Sequence, residues 1–349
     1  MFRTLSNAGR LLRMARALAA HDALVPREYA ARVPLPLRLA ASLAGGRKSA
    51  DAGLLPGERL AKALEQMGPS AIKLGQLLAT RPDILGADVA RGLESLQDRL
   101  PPFPDEEARR IVERELNRPL DRVFAKFGPP VAAASIAQVH EAETADDPPK
   151  RVAVKILRPN IEDAFARDFD AARFAARFAE RVSAEARRLR LRELVETLAA
   201  SVAIELDLRM EGAAASELAQ NTRDDPDFRV PVLDWSRTGA HVLTSEWVDG
   251  TPLRDAAALA AADHDPKRVA VSVMRSFLNQ ALRDGFFHAD MHPGNLFVDK
   301  EGRVCAVDFG IMGRLDAGMR RFMAETLGGF LARDYMRVAQ VHFDVGFVP

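Results

Sequence analysis

Apolar side chains recur at helical spacing in the first third of the sequence. The pattern runs from Pro56 to a glycine–proline step at 68–69, resumes, and stops again near Pro82. A run of prolines within 101–104 is another stop, and three acidic residues from Asp105 onward suit the first turn of a further helix. The pattern therefore predicts two consecutive helices, a break, and a helix that begins at Asp105.

Alternation with a period of two replaces the helical pattern at about 120–157. Near its end, Val152, Val154 and Ile156 share one face of a predicted strand. Lys155 then lies on the opposite face of that strand. We therefore predict a short β region whose last strand presents a lysine away from the apolar side.

The second half of the chain is predicted to be mainly helical. A long helical stretch covers about 160–220, and a strand at 240–247 leads into a predicted hinge at 248–252. Two short strands, at 295–298 and 303–307, are joined by a turn that contains glycine, which predicts a hairpin.

The first 45 residues are basic and rich in alanine and leucine, and a linker is predicted at 44–49. The apolar and basic positions of this segment fit two faces of a helix: Leu5, Leu11, Leu12, Met14, Ala15 and Leu18 against Arg3, Arg10, Arg13 and Arg16. The arginines interrupt the apolar stretch, so it is not a secretory signal. Such a helix suits a membrane surface or a partner, or it docks on its own domain, and the sequence leaves both interpretations open.

Composition narrows the class of protein. The 349 residues include 49 basic and 49 acidic side chains, so no global positive field attracts nucleic acid. No apolar run reaches the roughly 18 residues of a membrane span. The single cysteine, Cys305, excludes an intramolecular disulfide, and we interpret it as a packing residue. His288 and His292 are separated by Pro293 and Gly294, which disfavour a helical metal pair.

The most specific chemistry lies between His288 and Gly310. Asp290 stands five positions before Asn295, and the predicted hairpin then leads to Asp308-Phe309-Gly310. In protein-kinase-like enzymes the first aspartate of this arrangement serves the phosphoryl acceptor, and the asparagine and second aspartate hold Mg²⁺. We therefore predict Asp290 as catalytic, Asn295 and Asp308 as metal ligands, and ATP or ADP with Mg²⁺ as cofactors.

Further kinase-like motifs precede this segment. Val152-Ala153-Val154-Lys155 has the form of the strand-borne lysine that pairs with nucleotide phosphates, so Lys155 is a catalytic and nucleotide-binding candidate. Where a kinase has a glycine-rich loop, this chain has Ala132-Ala133-Ala134-Ser135, and alanine disfavours positive φ and close approach of the backbone to phosphate. We predict a strand-turn-strand that binds nucleotide without a glycine cradle. Glu246 and Val248, beside the hinge, are further candidates for nucleotide contacts.

Together these motifs resemble the UbiB family of atypical kinases, which is linked to ubiquinone biosynthesis. The resemblance covers about residues 50–349 and rests on segments in the family's order: Lys73-Leu74-Gly75-Gln76, the alanine-rich loop, Lys155, Glu205-Leu206-Asp207, 288–295 and 308–310. In that family the K-x-G-Q segment is held over the active site by the E-x-D segment and occludes the usual protein-substrate groove. The resemblance therefore implies regulatory roles for the polar residues of both segments: Lys73, Gln76, Glu205 and Asp207. Lys73 is also a catalytic candidate.

The E-x-D segment has a definite geometry if it is one continuous helix. Glu205 and Asp207 would then lie about 200° apart, and Asp207 would share a face with Glu211. By the resemblance, Glu211 is the candidate partner of Lys155 and Glu205 is the second candidate. Gly75, inside a helical pattern, costs about 1 kcal/mol relative to alanine, which indicates close packing there.

The predicted fold class is α+β. It is a bilobal protein-kinase-like fold with a helical N-terminal extension, a helical insertion in the N-lobe and a C-lobe that we expect to be truncated. The predicted parts are a basic amphipathic segment at 1–45, a helical extension with the K-x-G-Q motif at 46–118, the N-lobe with the E-x-D insertion at 119–248 and the partial C-lobe at 249–349.

The resemblance implies an atypical kinase or ATPase that supports ubiquinone biosynthesis. The alternative is a nucleotide-binding pseudokinase that acts as a scaffold for quinone-modifying enzymes; the intact lysine and metal motifs favour the enzyme, because a scaffold needs no metal ligands. The resemblance implies that this protein's partners are the nucleotide, quinone precursors or lipid, ubiquinone-biosynthesis enzymes and a membrane surface. It also implies a location at the cytoplasmic face of a bacterial inner membrane. The sequence leaves the phosphoryl acceptor open.

Overall fold

A computed structural model describes residues 2–23, 53–79, 82–93, 96, 100–182 and 184–346. The linker predicted at 44–49 lies outside these residues. The chain divides into two compact units, each of which is discontinuous in sequence. The first comprises Met1–Leu120, Phe127–His140 and Lys155–Leu206, and the second comprises Asp121–Lys126, Glu141–Val154 and Asp207–Pro349.

Helices precede the first strand, lie between β3 and β4 and between β6 and β7, and follow the last strand. Their bounds are α1 Phe2–Ala20, α2 Pro56–Met67, α3 Pro69–Ala79, α4 Pro82–Leu85, α5 Ala87–Leu93, α6 Asp105–Leu116, α7 Leu120–Val123, α8 Ile161–Val182, α9 Ala184–Arg188, α10 Leu191–Glu205, α11 Leu208–Asn221, α12 Ala256–Ala261, α13 Pro266–Leu278, α14 Ala317–Ala332 and α15 Tyr335–Asp344. A 3₁₀ turn covers Trp235–Arg237, and a π-helical turn covers Asn279–Asp284. The predicted break is confirmed at Gly68, whose φ of 100° separates α2 from α3. The predicted helix start at Asp105 is also confirmed.

In the part of the chain that the structure describes, the strands form three small sheets. Their bounds are β1 Phe124–Ala133, β2 Ala137–Thr144, β3 Arg151–Leu157, β4 Phe228–Arg229, β5 Val242–Glu246, β6 Gly250–Pro252, β7 Phe286–His288, β8 Leu296–Asp299, β9 Val304–Ala306 and β10 Met312–Arg314. The sheet orders are β1-β2-β3-β5, β4-β9-β8-β6 and β10-β7. The predicted hairpin is β8–β9, with Leu296 opposite Ala306. The segment predicted as a hinge also contains β6, which pairs antiparallel with β8.

The N-terminal helix α1 is docked on its own unit. It packs against α2 and α8, and Arg10 Nε donates to Asp168 Oδ1 at 2.5 Å. Asp168 lies in α8, and its other oxygen accepts from Ser70 Oγ of α3 at 2.5 Å. Of the two interpretations that the sequence left open, the structure therefore shows the docked helix. Among the described residues, no helix is long and apolar enough to cross a bilayer.

Glycines lie where helices of the first unit pack closely together. A Cβ on Gly57 of α2 would lie 2.8 Å from Gly92 Cα of α5. A Cβ on Gly75 of α3 would lie 2.5 Å from Leu96 Cδ1 and 2.6 Å from Leu64 Cδ1. The close packing predicted at Gly75 is therefore confirmed.

Gly92→Ala is expected to lower the free energy of unfolding by about 1–3 kcal/mol, because the added methyl overpacks the crossing of α2 and α5. The new Cβ would lie 2.5 Å from Gly57 backbone atoms, which cannot relieve the clash by a change of side-chain rotamer. Gly75→Ala meets only the ends of two leucine side chains and should cost less. Gly328→Ala on α14 is the control, since nothing lies within 4 Å of its Cβ position. Urea denaturation measures all three, and a Gly92→Ala protein as stable as the control would contradict the crossing.

Candidate functional site

The predicted catalytic loop lies between β7 and β8 in the second unit. Asn295 Nδ2 donates to the backbone oxygen of Asp290 at 3.3 Å and to its Oδ2 at 3.2 Å. The Asn295 N–H donates to the His292 carbonyl at 3.0 Å, which closes the turn. The Asp290 side chain is 42% exposed, so an acceptor can reach it. The structure thus brings the predicted catalytic aspartate and the predicted metal-ligating asparagine together.

The Asp308-Phe309-Gly310 segment runs beside this loop. Asp308 Oδ1 accepts the Gly310 N–H at 3.1 Å, and Phe309 is buried in the hydrophobic core of the second unit. β7 pairs antiparallel with β10, and the Ala289 N–H donates to the Ile311 carbonyl at 3.0 Å. All three predicted residues of the metal and catalytic motifs therefore lie on two neighbouring loops.

The donor chemistry of these loops fits magnesium. Mg²⁺ prefers oxygen ligands and takes part of its coordination in nucleotide enzymes from phosphates and water. Asn295 turns its Nδ2 toward Asp290, so its Oδ1 is the atom suited to a metal. Asp308 adds a carboxylate, and together they supply the two protein oxygens that the motif predicts.

Lys155 occupies the predicted place on β3. Its neighbours Val154 and Ile156 are fully buried while Lys155 is half-buried, which confirms the alternation read from the sequence. Glu211, its predicted partner, lies on α11, and its Oε1 accepts the Phe309 N–H at 3.4 Å. This contact joins α11 to the predicted metal loop within the second unit. The pairing of Lys155 with Glu211 stays a prediction.

The alanine-rich loop forms the predicted strand-turn-strand. Ala132 and Ala133 end β1, and the Ala134 N–H donates to the Ala137 carbonyl at 2.8 Å. Ser135 at the turn is buried, with 2% of its surface exposed. The burial of this serine shows that the turn is packed and not open to solvent.

Arg158 holds this turn, and the sequence reasoning missed it. Its guanidinium donates to the Ala134 carbonyl at 3.0 and 2.9 Å and to the Pro101 carbonyl at 3.0 Å. Its backbone N–H donates to the Ile136 carbonyl at 2.8 Å. Burial lowers the pKa of Arg158 from its ordinary value. The arginine three residues after Lys155 was visible in the sequence, but its two distant carbonyl partners were not.

A buried polar pair lies behind the same hairpin. His140 Nδ1 faces the Gly128 carbonyl at 2.9 Å, so Nδ1 carries the proton, because a carbonyl only accepts. Gln138 Nε2 donates to His140 Nε2 at 2.8 Å, and Gln138 Oε1 accepts the Phe103 N–H at 2.9 Å. Burial lowers the pKa of His140 from its ordinary value. This network requires a neutral imidazole, because a proton on Nε2 would face the amide donor.

The protein is expected to lose stability as the pH falls below the ordinary histidine pKa of 6.5. Above that pH, His140 is neutral in both states; below it, the unfolded chain takes up the proton first. Stability then declines by up to about 1.4 kcal/mol per pH unit for this group, until the depressed pKa of the folded state is reached. His288 acts in the same direction, since burial lowers its pKa too.

Comparison with His140→Gln isolates the contribution of His140. Urea unfolding of both proteins at about pH 7.5 and about pH 5.5 should show a smaller pH effect in the variant, because glutamine does not titrate. A stability difference between the two proteins that is equal at both pH values would contradict the neutral, buried histidine.

The K-x-G-Q segment lies on α3, and its lysine is paired. Lys73 Nζ lies 2.5 Å from Glu205 Oε2, and the two side chains are only 15% and 13% exposed. The predicted proximity of Lys73 to the E-x-D glutamate is therefore found, across more than a hundred residues of sequence. Gln76 lies on the same helix, one turn further on.

The prediction of one continuous helix through the E-x-D segment is wrong. α10 ends at Glu205, and Asp207 is the N-cap of α11, with its carboxylate accepting the Arg209 N–H at 3.1 Å. The bond to the Arg209 side chain lowers the pKa of Asp207. The chain starts a new helix here because the Asp207 carboxylate satisfies a backbone N–H in the first turn of α11. An aspartate, a preferred N-cap residue, was the signal in the sequence for this helix start. Glu205 and Asp207 therefore have separate structural tasks.

The residues beside the predicted hinge have structural partners. The Glu246 carboxylate accepts from Arg229 Nη1 at 3.0 Å and from the Val232 N–H at 3.2 Å. The Val248 carbonyl accepts the Gly250 N–H at 3.1 Å.

Cys305 is fully buried, and burial raises the pKa of its thiol to about 12, as the packing interpretation requires.

Comparison with known proteins decides the family. The model of the ABC1 atypical kinase-like domain matches residues 95–342. The chain belongs to this family. This match, together with the relatives and the solved structure described next, confirms the UbiB resemblance read from the motifs and the kinase-like α+β fold class.

Relatives within the family carry the UbiB name. Proteins called "Probable protein kinase UbiB" are 41% identical over 322 residues in Marinobacter nauticus and 42% identical over 303 residues in Xanthomonas oryzae pv. oryzae. These matches cover 91% and 84% of this chain, and 58% and 54% of the relatives. The chain thus spans little more than half the length of these relatives.

A solved structure has the same fold. The complex of Rv3197 with erythromycin from Mycobacterium tuberculosis superposes with a TM-score of 0.59 at 26% identity, over 81% of this chain and 71% of that one.

Proposed function

We propose that this chain binds ATP with Mg²⁺ and transfers or hydrolyses the terminal phosphoryl group, in support of ubiquinone biosynthesis. The observation that carries the proposal is the pairing of Asp290 with Asn295, on a loop that runs beside Asp308. Phosphoryl transfer depends mainly on positioning and on neutralisation of charge. These loops would supply the positioning, and the Mg²⁺ that they would hold would supply the neutralisation. The family membership and the relatives' names point the same way.

Each side chain has a separate task in this proposal. Asp290 orients the attacking hydroxyl or water and accepts its proton, while Asn295 and Asp308 would hold Mg²⁺. When bound, the ion neutralises phosphate charge. Lys155 would contact the phosphates, oriented by Glu211 on α11.

The remaining nucleotide contacts come from backbone. The turn after Ala132 and Ala133 would cover the phosphates in a fixed conformation, because Arg158 holds the Ala134 carbonyl. At the hinge, the Glu246 carboxylate is engaged with Arg229, so we assign its nucleotide contact, like that of Val248, to the main chain.

Phosphate release by the purified chain tests the function. We expect Mg²⁺-dependent release from ATP that responds to lipid vesicles and to a quinone-precursor analogue, since the proposed setting is a membrane surface. Nucleotide binding without release under every condition would favour the alternative, a pseudokinase scaffold.

Ala134→Gly is expected to change the affinity for ATP relative to ADP. Glycine permits positive φ and closer approach of the backbone to phosphate, and we expect a change of several-fold or more, on the order of 1 kcal/mol. Ala125→Gly, at an exposed position of β1, is the control for loss of strand propensity. Calorimetric titration gives both constants, and an unchanged ATP-to-ADP ratio would mean that the loop only packs.

A further inference from the structure

The catalytic loop is preceded by a π-helical turn, Asn279–Asp284, at the end of α13. Such turns are rare and are frequently found at functional sites. The turn closes where the Gly285 N–H donates to the Gln280 carbonyl, with Gly285 in the left-handed region. Gln280 itself is completely buried, although glutamine is usually exposed. Its side chain therefore requires a polar partner inside the second unit.

That partner is His288, the last residue of β7, directly before the catalytic loop. Gln280 Oε1 accepts the backbone N–H of His288 at 3.1 Å. β7 belongs to a two-stranded sheet with β10, and at His288 the glutamine side chain supplies a hydrogen bond that a further strand would otherwise provide. Loss of the Gln280 Oε1 acceptor would leave the buried backbone N–H of His288 unpaired, at a cost of about 1–3 kcal/mol.

The His288 side chain is in turn hydrogen-bonded to the backbone of Asp290. The Asp290 N–H donates to His288 Nδ1 at 3.1 Å, so Nδ1 is the acceptor and the proton sits on Nε2. The His288 ring is 1% exposed and lies 5.7 Å from the Phe309 ring. Asp290 in turn accepts from Asn295 Nδ2. Three successive hydrogen bonds thus lead from the π-helical turn to the predicted catalytic pair.

We propose that Gln280 is a positioning residue for phosphoryl transfer: through His288 it fixes the backbone of Asp290, and the π-helical turn exists to bring its side chain to that place. The inference rests on the proposed function for its kinetic consequence. Its structural consequence, a single Nε2–H tautomer at His288, does not depend on any activity.

Gln280→Met separates positioning from packing. Methionine has nearly the same length and suits a buried site, but it offers the His288 N–H no comparable acceptor. We expect ¹⁵N NMR to show one Nε2–H tautomer at His288 in the wild type and a mixture in the variant, with faster exchange of the His288 amide. We expect kcat for phosphate release to fall between about ten- and a hundredfold, with nucleotide affinity unchanged.

Two further variants complete the test. Gln280→Glu keeps an acceptor oxygen and should keep the tautomer and more of kcat than Gln280→Met. Gln220→Met, at an exposed position of α11, should match the wild type in every measurement. A wild type with the proton on Nδ1 overturns the proposal without any variant, and so does a Gln280→Met protein with unchanged tautomer and kcat. If the wild type releases no phosphate, the proposed function fails, and the NMR comparison still decides the role of Gln280.

Discussion

Asp308→Asn is expected to abolish the Mg²⁺-dependent stabilisation of the protein by nucleotide and, with it, phosphate release. A nucleotide at about 100 times its dissociation constant stabilises a folded protein by about 2.7 kcal/mol. Asparagine keeps the shape of the side chain, and its Oδ1 can still accept the Gly310 N–H seen in the structure. It removes the negative charge that the ion requires, so the local turn should survive while metal-dependent binding is lost.

Thermal unfolding with and without ATP, each with Mg²⁺ or with a chelator, measures this effect. Asp263→Asn is the matched control, because this exposed aspartate has a φ of 58°, which asparagine adopts equally well. The control should keep the full Mg²⁺-dependent shift. An Asp308→Asn protein with an unchanged shift would show that Asp308 is not a metal ligand.

Lys73→Ala is expected to permit autophosphorylation that the wild type lacks. The family resemblance assigns the K-x-G-Q segment a gating role, and the Lys73–Glu205 ion pair joins its helix to α10. The resemblance implies that this segment covers the acceptor position, so loss of the ion pair is expected to expose that position. Asp290→Ala in the same background should remove the phosphorylation, because the acceptor then lacks its base.

The same substitution also tests the energetics of the pair. Both side chains are mostly buried, so Lys73→Ala leaves Glu205 without this partner, at a cost of up to about 3–5 kcal/mol. Lys73→Met with Glu205→Gln should recover much of that stability while it still lacks the ion pair. Labelled phosphate on the Lys73→Ala protein and on the double variant supports the gating role. Lys267→Ala, at an exposed lysine, is the control and should stay unlabelled. If neither protein is labelled while both bind nucleotide, Lys73 stabilises bound phosphate instead.

The sequence by itself determined the local elements and the order of the motifs. Gly68 and the prolines specify helix ends through their allowed dihedral angles, and alternation around Lys155 specifies β3. The spacing from Asp290 to Asp308 specifies a hairpin between two polar loops, because a turn with Gly302 at φ 81° closes it. These features depend on neighbours within a few residues, and periodicity and turn chemistry report such neighbours directly.

The tertiary structure alone decided which distant groups meet. The Arg158 bonds to the alanine-rich turn and the docking of α1 through Arg10 and Asp168 join residues far apart in the chain. The π-helical turn that brings Gln280 to His288 has no pattern in the sequence, because a partner ten or a hundred residues away decides whether a buried polar group is satisfied. Local patterns carry no information on that partner. Only burial and hydrogen bonding in the folded chain therefore show which side chains, such as Arg158 and Gln280, hold the predicted site residues in place.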